Sequence, residues 1–180
     1  MTTSFTTEKV LFDARHSAGE GPAANTNWHV VNDTVMGGVS ESSFARTDEG
    51  ARFSGTVSLD HGGGFASVRA PERNTDISNA TGFLIETRGD GKTYKWTAYT
   101  DTAGPVSYRA SFTPSGEWQE IFLPFTDLIP FRRGHQLDSA PPFDASHLRT
   151  FGILISDRQA GPFQIDLRTV AAVRRHPDEG

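Results

Sequence analysis

Residues 82–100 read G-F-L-I-E-T-R-G-D-G-K-T-Y-K-W-T-A-Y-T, and the alternation of their side chains decides the fold class. Successive side chains of a β-strand point to opposite faces of its sheet. From residue 94 onward this alternation places Tyr94, Trp96 and Ala98 on one face, while the residues between them form a more polar face. Such a pattern predicts strands that each turn one face towards an apolar core, and therefore an all-β fold.

The same alternation recurs outward from this stretch in both directions, between clusters of turn-forming residues. Asp48-Glu49-Gly50, Gly89-Asp90-Gly91 and Pro114-Ser115-Gly116 each favour a tight turn, and each predicts a β-hairpin between its flanking strands. Many short strands at regular spacing predict a β-sandwich of jelly-roll type. The predicted strands cover residues 9–13, 28–32, 40–48, 51–59, 64–70, 82–88, 93–100, 106–112, 117–123, 149–156 and 163–173.

The composition excludes several classes of protein. The chain has 180 residues, which predicts a single domain over residues 1–180, and it contains no cysteine, which excludes disulfides and thiolate chemistry. The formal net charge is −5, so we expect no binding of nucleic acid through a basic surface. No apolar run approaches the roughly 20 residues of a membrane span, and the first nine residues resemble neither a signal peptide nor a mitochondrial presequence. We therefore expect a bacterial protein of the cytoplasm.

A second informative stretch, residues 28–40, reads W-H-V-V-N-D-T-V-M-G-G-V-S and joins a short strand to a glycine-rich corner. Asn32-Asp33 favours a turn and Gly37-Gly38 permits positive φ angles, while apolar Met36 between them indicates a structured corner. Further blocks follow in order: F-S-G at 53–55, G-G-F-A-S-V-R at 63–69, R-G-D-G-K-T-Y at 88–94, Trp118 with Leu123-Pro124-Phe125, Arg133-Gly134, and Asp157 with Gly161-Pro162-Phe163.

In their order and spacing these blocks resemble the complex I intermediate-associated protein 30 family, over roughly residues 9–174. The resemblance implies a galactose-binding-like β-sandwich, similar to carbohydrate-binding modules. Eukaryotic members of that family assist the assembly of a respiratory complex, so the resemblance also implies a binding or assembly module. It directs attention to a signature loop, whose candidate residues are Trp28, Asn32, Asp33, Met36, Ser40 and Asp157.

The polar faces of the predicted strands carry many arginine, tyrosine and hydroxyl side chains. If the strands are neighbours in one concave sheet, these side chains form a single patch, where arginines orient an anionic or hydroxyl-rich group and aromatic rings stack beneath it. The alternative is an ordinary solvated sheet face, on which arginine and glutamate pair across strands. The candidate ligand-binding residues are Phe65, Ser67, Arg69, Glu86, Arg88, Thr97, Tyr99, Arg109 and Ser111.

Tryptophans and carboxylates elsewhere have plainer interpretations. Trp96 falls on the apolar face and Trp118 lies in a W-x-x-x-F block, which favours core packing over sugar stacking. Asp13 and Asp166 are candidate ligands for a structural calcium ion near the chain termini. Two carboxylates fall far short of the six to eight oxygen ligands that calcium prefers, so we expect no bound metal and no other cofactor.

No sequence motif identifies catalytic chemistry. The six histidines form neither H-x-H nor H-E-x-x-H, and the chain has no G-x-S-x-G elbow and no G-x-x-x-x-G-K-[ST] phosphate loop. Asn32 and Asp33 suit turn capping at least as well as catalysis. No catalytic residue is therefore assigned from the sequence.

Three functional classes remain. The first is a binding or assembly module that holds a protein partner, a small ligand or a glycan on the concave sheet. The second is a cofactor-free enzyme of the cyclase or isomerase type, in which an arginine and aromatic pocket orients a flexible substrate. The third is a purely structural interaction domain.

Residues 126–147 bear on the choice between these classes, because they predict a long irregular loop or lid. A deep, closed pocket beneath this segment favours an enzyme. A shallow open groove with exposed aromatic rings favours a glycan-binding module, and a flat apolar patch favours a protein partner.

Overall fold

A computed structural model describes residues 4–15, 28–32, 41–59, 64–156 and 159–176. Within these residues the chain forms thirteen β-strands, and short 3-10 helices occur at Phe125–Asp127 and Ala145–His147. The strands are β1 (Phe5–Asp13), β2 (His29–Asn32), β3 (Glu41–Arg46), β4 (Ala51–Val57), β5 (Ala66–Arg69), β6 (Gly82–Arg88), β7 (Tyr94–Thr100), β8 (Ser107–Phe112), β9 (Gln119–Pro124), β10 (Ile129–Arg132), β11 (His135–Gln136), β12 (Leu148–Ile155) and β13 (Gly161–Arg175).

The strands form two antiparallel sheets. One sheet has six strands in the order β3-β4-β13-β6-β9, with β1 also paired to β13. The other has seven strands in the order β11-β10-β8-β7-β12-β5-β2. The predicted all-β sandwich of jelly-roll type is therefore confirmed. No helix in the part of the chain that is described has the length and hydropathy to cross a membrane.

The core lies between the two sheets and follows the alternation seen in the sequence. Trp96 and Tyr94 on β7, Phe83 and Ile85 on β6 and Phe53 on β4 are completely buried. Their rings pack at centroid distances typical of aromatic contacts, for example 5.6 Å between Phe83 and Trp96. Complete burial of such a side chain contributes about 1.5–3 kcal/mol, so the inward faces of both sheets hold the sandwich together.

Two of the three predicted hairpins are wrong. Strands β6 and β7 flank Gly89-Asp90-Gly91 but belong to different sheets, and so do β8 and β9 on either side of Pro114-Ser115-Gly116. Both connections cross from one sheet to the other and run side by side, since Gly89 N–H donates to the Ser115 carbonyl at 2.7 Å. Tight-turn residues serve a crossing connection as well as a hairpin, which is why the sequence signal misled.

The third predicted hairpin is confirmed. Strands β3 and β4 pair directly, and the turn between them is closed by a 2.8 Å hydrogen bond from Thr47 N–H to the Gly50 carbonyl. The predicted irregular segment 126–147 is corrected in part, because it contains the short strands β10 and β11. Strand β10 pairs with β8 and extends the seven-stranded sheet, and the β10–β11 turn has positive φ angles at Arg133 (52°) and Gly134 (78°).

Strand β1 closes the six-stranded sheet by pairing with the second half of β13. Phe5 lies opposite Arg175 and Asp13 lies opposite Thr169. Just beyond this ladder, His176 N–H donates to the Ser4 carbonyl at 2.9 Å. The two ends of the described chain therefore lie next to each other.

Candidate functional site

A cavity of about 700 Å³ lies on the outer face of the seven-stranded sheet, and we refer to it as the outer-face cavity. The side chains of its floor alternate with core residues along β5, β7, β8 and β12, so they point away from the other sheet. The described residues that line it are Val31, Phe65, Ser67, Arg69, Lys95, Thr97, Tyr99, Pro105, Ser107, Arg109, Arg133, Gly134, Arg149, Leu154 and Ser156.

Strand register explains how these side chains come together. Directly opposed residues in an antiparallel pair share a face, so pairing across several strands builds rows of neighbours. One row joins β8, β7, β12 and β5 through Arg109, Thr97, Gly152 and Arg69. The row on one side contains Lys95, Leu154, Ser67 and Val31. The row on the other side contains Ser107 and Tyr99.

The outward-facing floor is buried, which an open sheet face would not be. Thr97 is 5% exposed, Tyr99 is 7% exposed and Ser107 is 3% exposed, although all three lie on the side away from the core. Pro105 and the β10–β11 turn line the same cavity. Polar groups in a concave, partly dry site are the ordinary setting of small-molecule binding.

Tyr99 is the centre of a cation–π arrangement in the cavity. The Arg69 guanidinium carbon lies 4.3 Å from the centroid of the Tyr99 ring, and that of Arg149 lies 5.9 Å from it. Arg149 reaches this position because β12 has an irregularity in its pairing with β7 between Leu148 and Thr150. A bulge of this kind redirects a side chain that regular alternation would have placed elsewhere.

A second basic group lies at the β8 side of the cavity. Arg109 Nε donates to Ser107 Oγ at 2.9 Å, and its guanidinium carbon lies 4.8 Å from the centre of the Phe131 ring on β10. Lys95 Nζ lies 5.5 Å from the same ring. These contacts hold long, otherwise mobile side chains in fixed positions.

Gly152 shapes the centre of the floor. A Cβ atom at this position would lie 2.0 Å from the Val68 carbonyl oxygen and 3.0 Å from the Arg69 Cα. Any side chain would therefore push β5 away from β12 and displace Arg69. Glycine permits the close approach of the two strands and leaves open the space between Thr97 and Arg69.

Six of the nine predicted ligand-binding residues line this cavity, namely Phe65, Ser67, Arg69, Thr97, Tyr99 and Arg109. Ser111 lies on the same face of β8, opposite Lys95, but is exposed and outside the lining. The single patch predicted from the sequence is thus corrected in extent, while the role of its members in binding stays a prediction.

Glu86 and Arg88 do not join the patch, because β6 lies in the six-stranded sheet. The expectation that they share a face with Arg69 depended on a β6–β7 hairpin, which does not form. Arg88 instead bonds to Asp166, with Nη2 to Oδ2 at 2.7 Å, and Glu86 accepts from Arg168 Nη1 at 2.9 Å.

The expected core position of Trp118 is also wrong. Its side chain is half-buried on the outer face of the six-stranded sheet, where its indole N–H donates to Glu49 Oε2 at 3.1 Å. The guanidinium carbons of Arg168 and Arg88 lie 3.8 Å and 4.6 Å from its ring. Trp96, in contrast, is fully buried in the core as expected.

The signature-loop candidates are described only in part. Trp28 packs in an aromatic cluster, stacked on Phe44 at 4.6 Å and edge-on to Phe12 at 5.0 Å, and does not line the outer-face cavity. The backbone of Asn32 pairs with Ala66. The remaining candidates lie outside the described residues: Asp33, Met36, Ser40 and Asp157.

The two calcium candidates do not form a cation site. Asp166 is 2% exposed and its two carboxylate oxygens bind Arg52 at 2.8 Å and Arg88 at 2.7 Å. Both oxygens of Asp13 accept from Arg15, at 3.0 Å and 2.8 Å. Guanidinium groups at these oxygens oppose the approach of a second cation, so the residues present do not fit calcium.

The candidates from the sequence omit five basic or polar lining residues: Lys95, Ser107, Arg133, Arg149 and Ser156. The strand period places Lys95 and Ser107 on the same polar faces as Tyr99 and Arg109, although neither is among the ligand-binding candidates. Arg133 lies in a sequence block that was noted, but only the β10–β11 turn brings it to the cavity. Arg149 reaches the cavity through a strand irregularity, for which the sequence offers no signal.

Comparisons with known proteins agree with this architecture. The family model described as Complex I intermediate-associated protein 30 (CIA30) matches residues 17–167. An uncharacterized protein of Schizosaccharomyces pombe is 28% identical over an alignment of 183 positions, which spans 83% of this chain and 81% of the yeast protein.

Solved structures of carbohydrate-binding modules share the fold. The family 11 module of a cellulosomal cellulase of Clostridium thermocellum has a TM-score of 0.63 at 14% identity, covering 95% of both chains. A family 11 module from the same organism, in complex with a β-1,3-1,4-mixed-linked tetrasaccharide, has a TM-score of 0.63 at 17% identity and covers 95% of this chain and 96% of that chain. At such identities the likeness is one of fold.

Proposed function

Because this chain belongs to the complex I intermediate-associated protein 30 family and has the fold of carbohydrate-binding modules, we propose that it is a binding module. Its site is the outer-face cavity, and its ligand is a small, hydroxyl-rich molecule such as a short oligosaccharide. The family resemblance found in the sequence is confirmed, whereas the ligand and its site are the proposal.

One observation carries the proposal. The floor of the cavity is polar, points away from the core and is nevertheless buried, with Thr97, Tyr99 and Ser107 each at most 7% exposed. Burial of polar side chains in a concavity of about 700 Å³ has no role in packing the sandwich. It supplies hydroxyl groups, guanidinium groups and an aromatic ring at fixed positions, which are the groups that recognise hydroxyl-rich ligands.

The buried Tyr99 ring and the β10–β11 turn at the cavity are signs expected of an enzyme, but the chemistry of the described lining gives that alternative less support. The described lining of the cavity includes no aspartate, glutamate or histidine, so a reaction that needs a carboxylate or imidazole base has no candidate among these residues. The β10–β11 turn contributes Arg133 and Gly134 to one side of the cavity, as the predicted lid segment would. We also propose that this turn helps to close the cavity.

A protein partner is the second candidate, and the description of the family favours it. A flat apolar surface would be its expected sign. Among the described residues the exposed large hydrophobic side chains are Val10 and Ile129, which lie in different sheets. The described surface therefore gives a small ligand more support than an apolar protein interface.

The proposal is tested by following the amide resonances of the full chain during titration with two probes. The probes are the neutral β-1,3-1,4-mixed-linked tetrasaccharide and the acidic tetragalacturonate. We expect at least one of them to shift resonances of β5, β7, β8 and β12 selectively. Ser67→Phe, which fills the cavity from β5, should weaken that binding about tenfold or more.

Ser43→Phe provides the matched control, because Ser43 is exposed on β3 of the other sheet. This variant should bind as the unmodified chain does. Shifts that cluster outside the outer-face cavity, or the absence of shifts with both probes, would contradict the proposed function.

A further inference from the structure

The basic character of the outer-face cavity carries an inference that rests on the proposed function and names the class of ligand. Five of the fifteen described lining residues are basic and none is acidic. The chain as a whole has 17 basic and 22 acidic residues, so this local excess runs against its overall charge. The basic residues are Arg69, Lys95, Arg109, Arg133 and Arg149.

Arginines of the six-stranded sheet pair with carboxylates of the same chain. On the outer face of this sheet Asp166 accepts from Arg52 at 2.8 Å and from Arg88 at 2.7 Å. In the same sheet Arg168 Nη1 lies 2.9 Å from Glu86 Oε2. These arginines are matched by carboxylates of the chain itself at hydrogen-bond distance.

Arg69 and Arg149 are held differently. Their guanidinium carbons lie 4.3 Å and 5.9 Å from the Tyr99 ring, a contact that fixes their position and leaves N–H groups for a further acceptor. The described carboxylate paired with Arg149 is Glu72, at 3.6 Å from Nε, and the Glu72 side chain is 71% exposed. A contact at this distance and exposure is weak.

The charges of Arg69 and Arg149 also repel each other, since both guanidinium groups lie beside the Tyr99 ring in one concave surface. An anion bound among them relieves this repulsion and gains hydrogen bonds that are stronger for ionised partners. The planar guanidinium fork fits carboxylate and sulfate groups in particular. Ser67 Oγ donates to the Val31 carbonyl at 3.1 Å and keeps its lone pairs as acceptors for a sugar hydroxyl, and the Thr97 hydroxyl lies in the same cavity.

We propose that the ligand of the outer-face cavity is an acidic saccharide, whose carboxylate or sulfate group is bound by Arg69 and Arg149 beside the ring of Tyr99. Arg109, held by Ser107 and Phe131, lies on the β8 side of the same cavity. The cavity volume of about 700 Å³ falls within the range of small-molecule sites.

The test measures calorimetric affinity for tetragalacturonate and for the neutral β-1,3-1,4-mixed-linked tetrasaccharide, with inorganic sulfate as a competing free anion. The variants are Arg69→Gln and Arg149→Gln. Arg174→Gln is the matched control, because Arg174 is half-exposed in the other sheet and pairs with Glu8 at 3.0 Å. Arg69→Lys retains the charge without the fork.

We expect tetragalacturonate to bind about tenfold or more tightly than the neutral probe. Arg69→Gln and Arg149→Gln should each weaken it by about tenfold or more, Arg69→Lys should weaken it less, and Arg174→Gln should leave it unchanged. Raising salt from about 50 mM to about 500 mM should weaken binding to the unmodified chain, a measurement that needs no folded variant. Competition by inorganic sulfate that disappears in Arg69→Gln supports the same anion site.

Equal affinity for the neutral and acidic probes overturns the acidic assignment, as does acidic binding that is indifferent to salt and to both glutamine variants. In either case, if Ser67→Phe abolishes the binding that remains, the proposed function is still supported and only the acidic assignment fails. If neither probe binds, both proposals fail.

Discussion

The Asp90 side chain gives the R-G-D-G-K-T-Y block at 88–94 a structural role. Its carboxylate accepts hydrogen bonds from Lys92 N–H at 3.1 Å, Tyr94 O–H at 3.1 Å and Gln164 N–H at 2.9 Å. Burial, followed by the charge of Asp90, raises the pKa of Tyr94 well above its usual value, so this hydroxyl stays a donor. The R-G-D-G-x-x-Y block therefore fastens the crossing after β6 to β13, and its Asp and Tyr do not belong to the outer-face cavity.

Asp144 is one of the carboxylates that link the stability of the fold to acid pH, together with Asp76 and Glu49, whose pKa values are also lowered by hydrogen bonds. Hydrogen bonds from Ser146, His147 and Thr102 lower the pKa of Asp144 from 3.8 to about 2, with the Ser146 hydroxyl as the largest cause. A depressed folded-state pKa stabilises the protein above pH 3.8, and this contribution is lost as the pH falls towards 2. We expect Asp144→Asn to reduce the loss of stability between these pH values, as measured by urea unfolding.

Asp127→Asn is the control for this prediction, since Asp127 is exposed at the end of the other 3-10 helix. The stability of this variant should fall with decreasing pH as that of the unmodified chain does. An Asp144→Asn variant that loses stability below pH 3.8 as steeply as the parent would show that another group governs this range.

At the scale of elements, the two connections between the sheets depend on each other. A Cβ atom at Gly89 would lie 2.3 Å from Pro114 Cγ, since the crossings after β6 and β8 touch at this point. We expect Gly89→Ala to destabilise the protein by about 1–3 kcal/mol, because the clash must move one connection away from the other. The change is measured as a shift in the urea unfolding midpoint with an unchanged m-value.

Gly116→Ala is the matched substitution in the same pair of connections. A Cβ atom at Gly116 meets no atom within 4 Å, so the variant should be neutral or slightly more stable. Equal destabilisation by the two alanines would mean that contact between the connections is not the cause.

The connections also mark the limit of prediction from the sequence. Alternation at Tyr94, Trp96 and Ala98 identified the buried faces correctly, because strand period is a local property. Strand β6 pairs with β13 and β9, and β7 pairs with β12 and β8, so the two strands share no partner. No local signal distinguishes a crossing from a hairpin at Gly89-Asp90-Gly91. The same cause placed Glu86 and Arg88 in the wrong patch, while residues of β5, β7 and β8 were grouped correctly.

At the scale of the molecule, stability depends on the pairing of the first and last strands. Strand β1 provides the partner for the second half of β13, and its Leu11 and Phe12 pack against the core. Deleting residues 1–13 should cost about 2 kcal/mol or more, because these two side chains are half-buried and the ladder with β13 is lost with them. The unfolding midpoint in urea tests this expectation.

Val10→Ser is the control for this deletion, because it changes an exposed side chain of β1 and leaves the pairing of β1 with β13 in place. Val10 lies in β1 and is 56% exposed, so its replacement should change stability by about 0.5 kcal/mol or less. A deletion no more harmful than this substitution would show that β13 is held by β4 and β6 without β1.

The neighbouring positions of Ser4 and His176 decide how the protein can be attached to a support. Both ends leave from the six-stranded sheet, whereas the outer-face cavity opens on the opposite layer of the sandwich. A tether at either terminus would therefore present the same orientation, with the cavity turned outward. Immobilisation on a biosensor chip through one end or the other should leave ligand access equal.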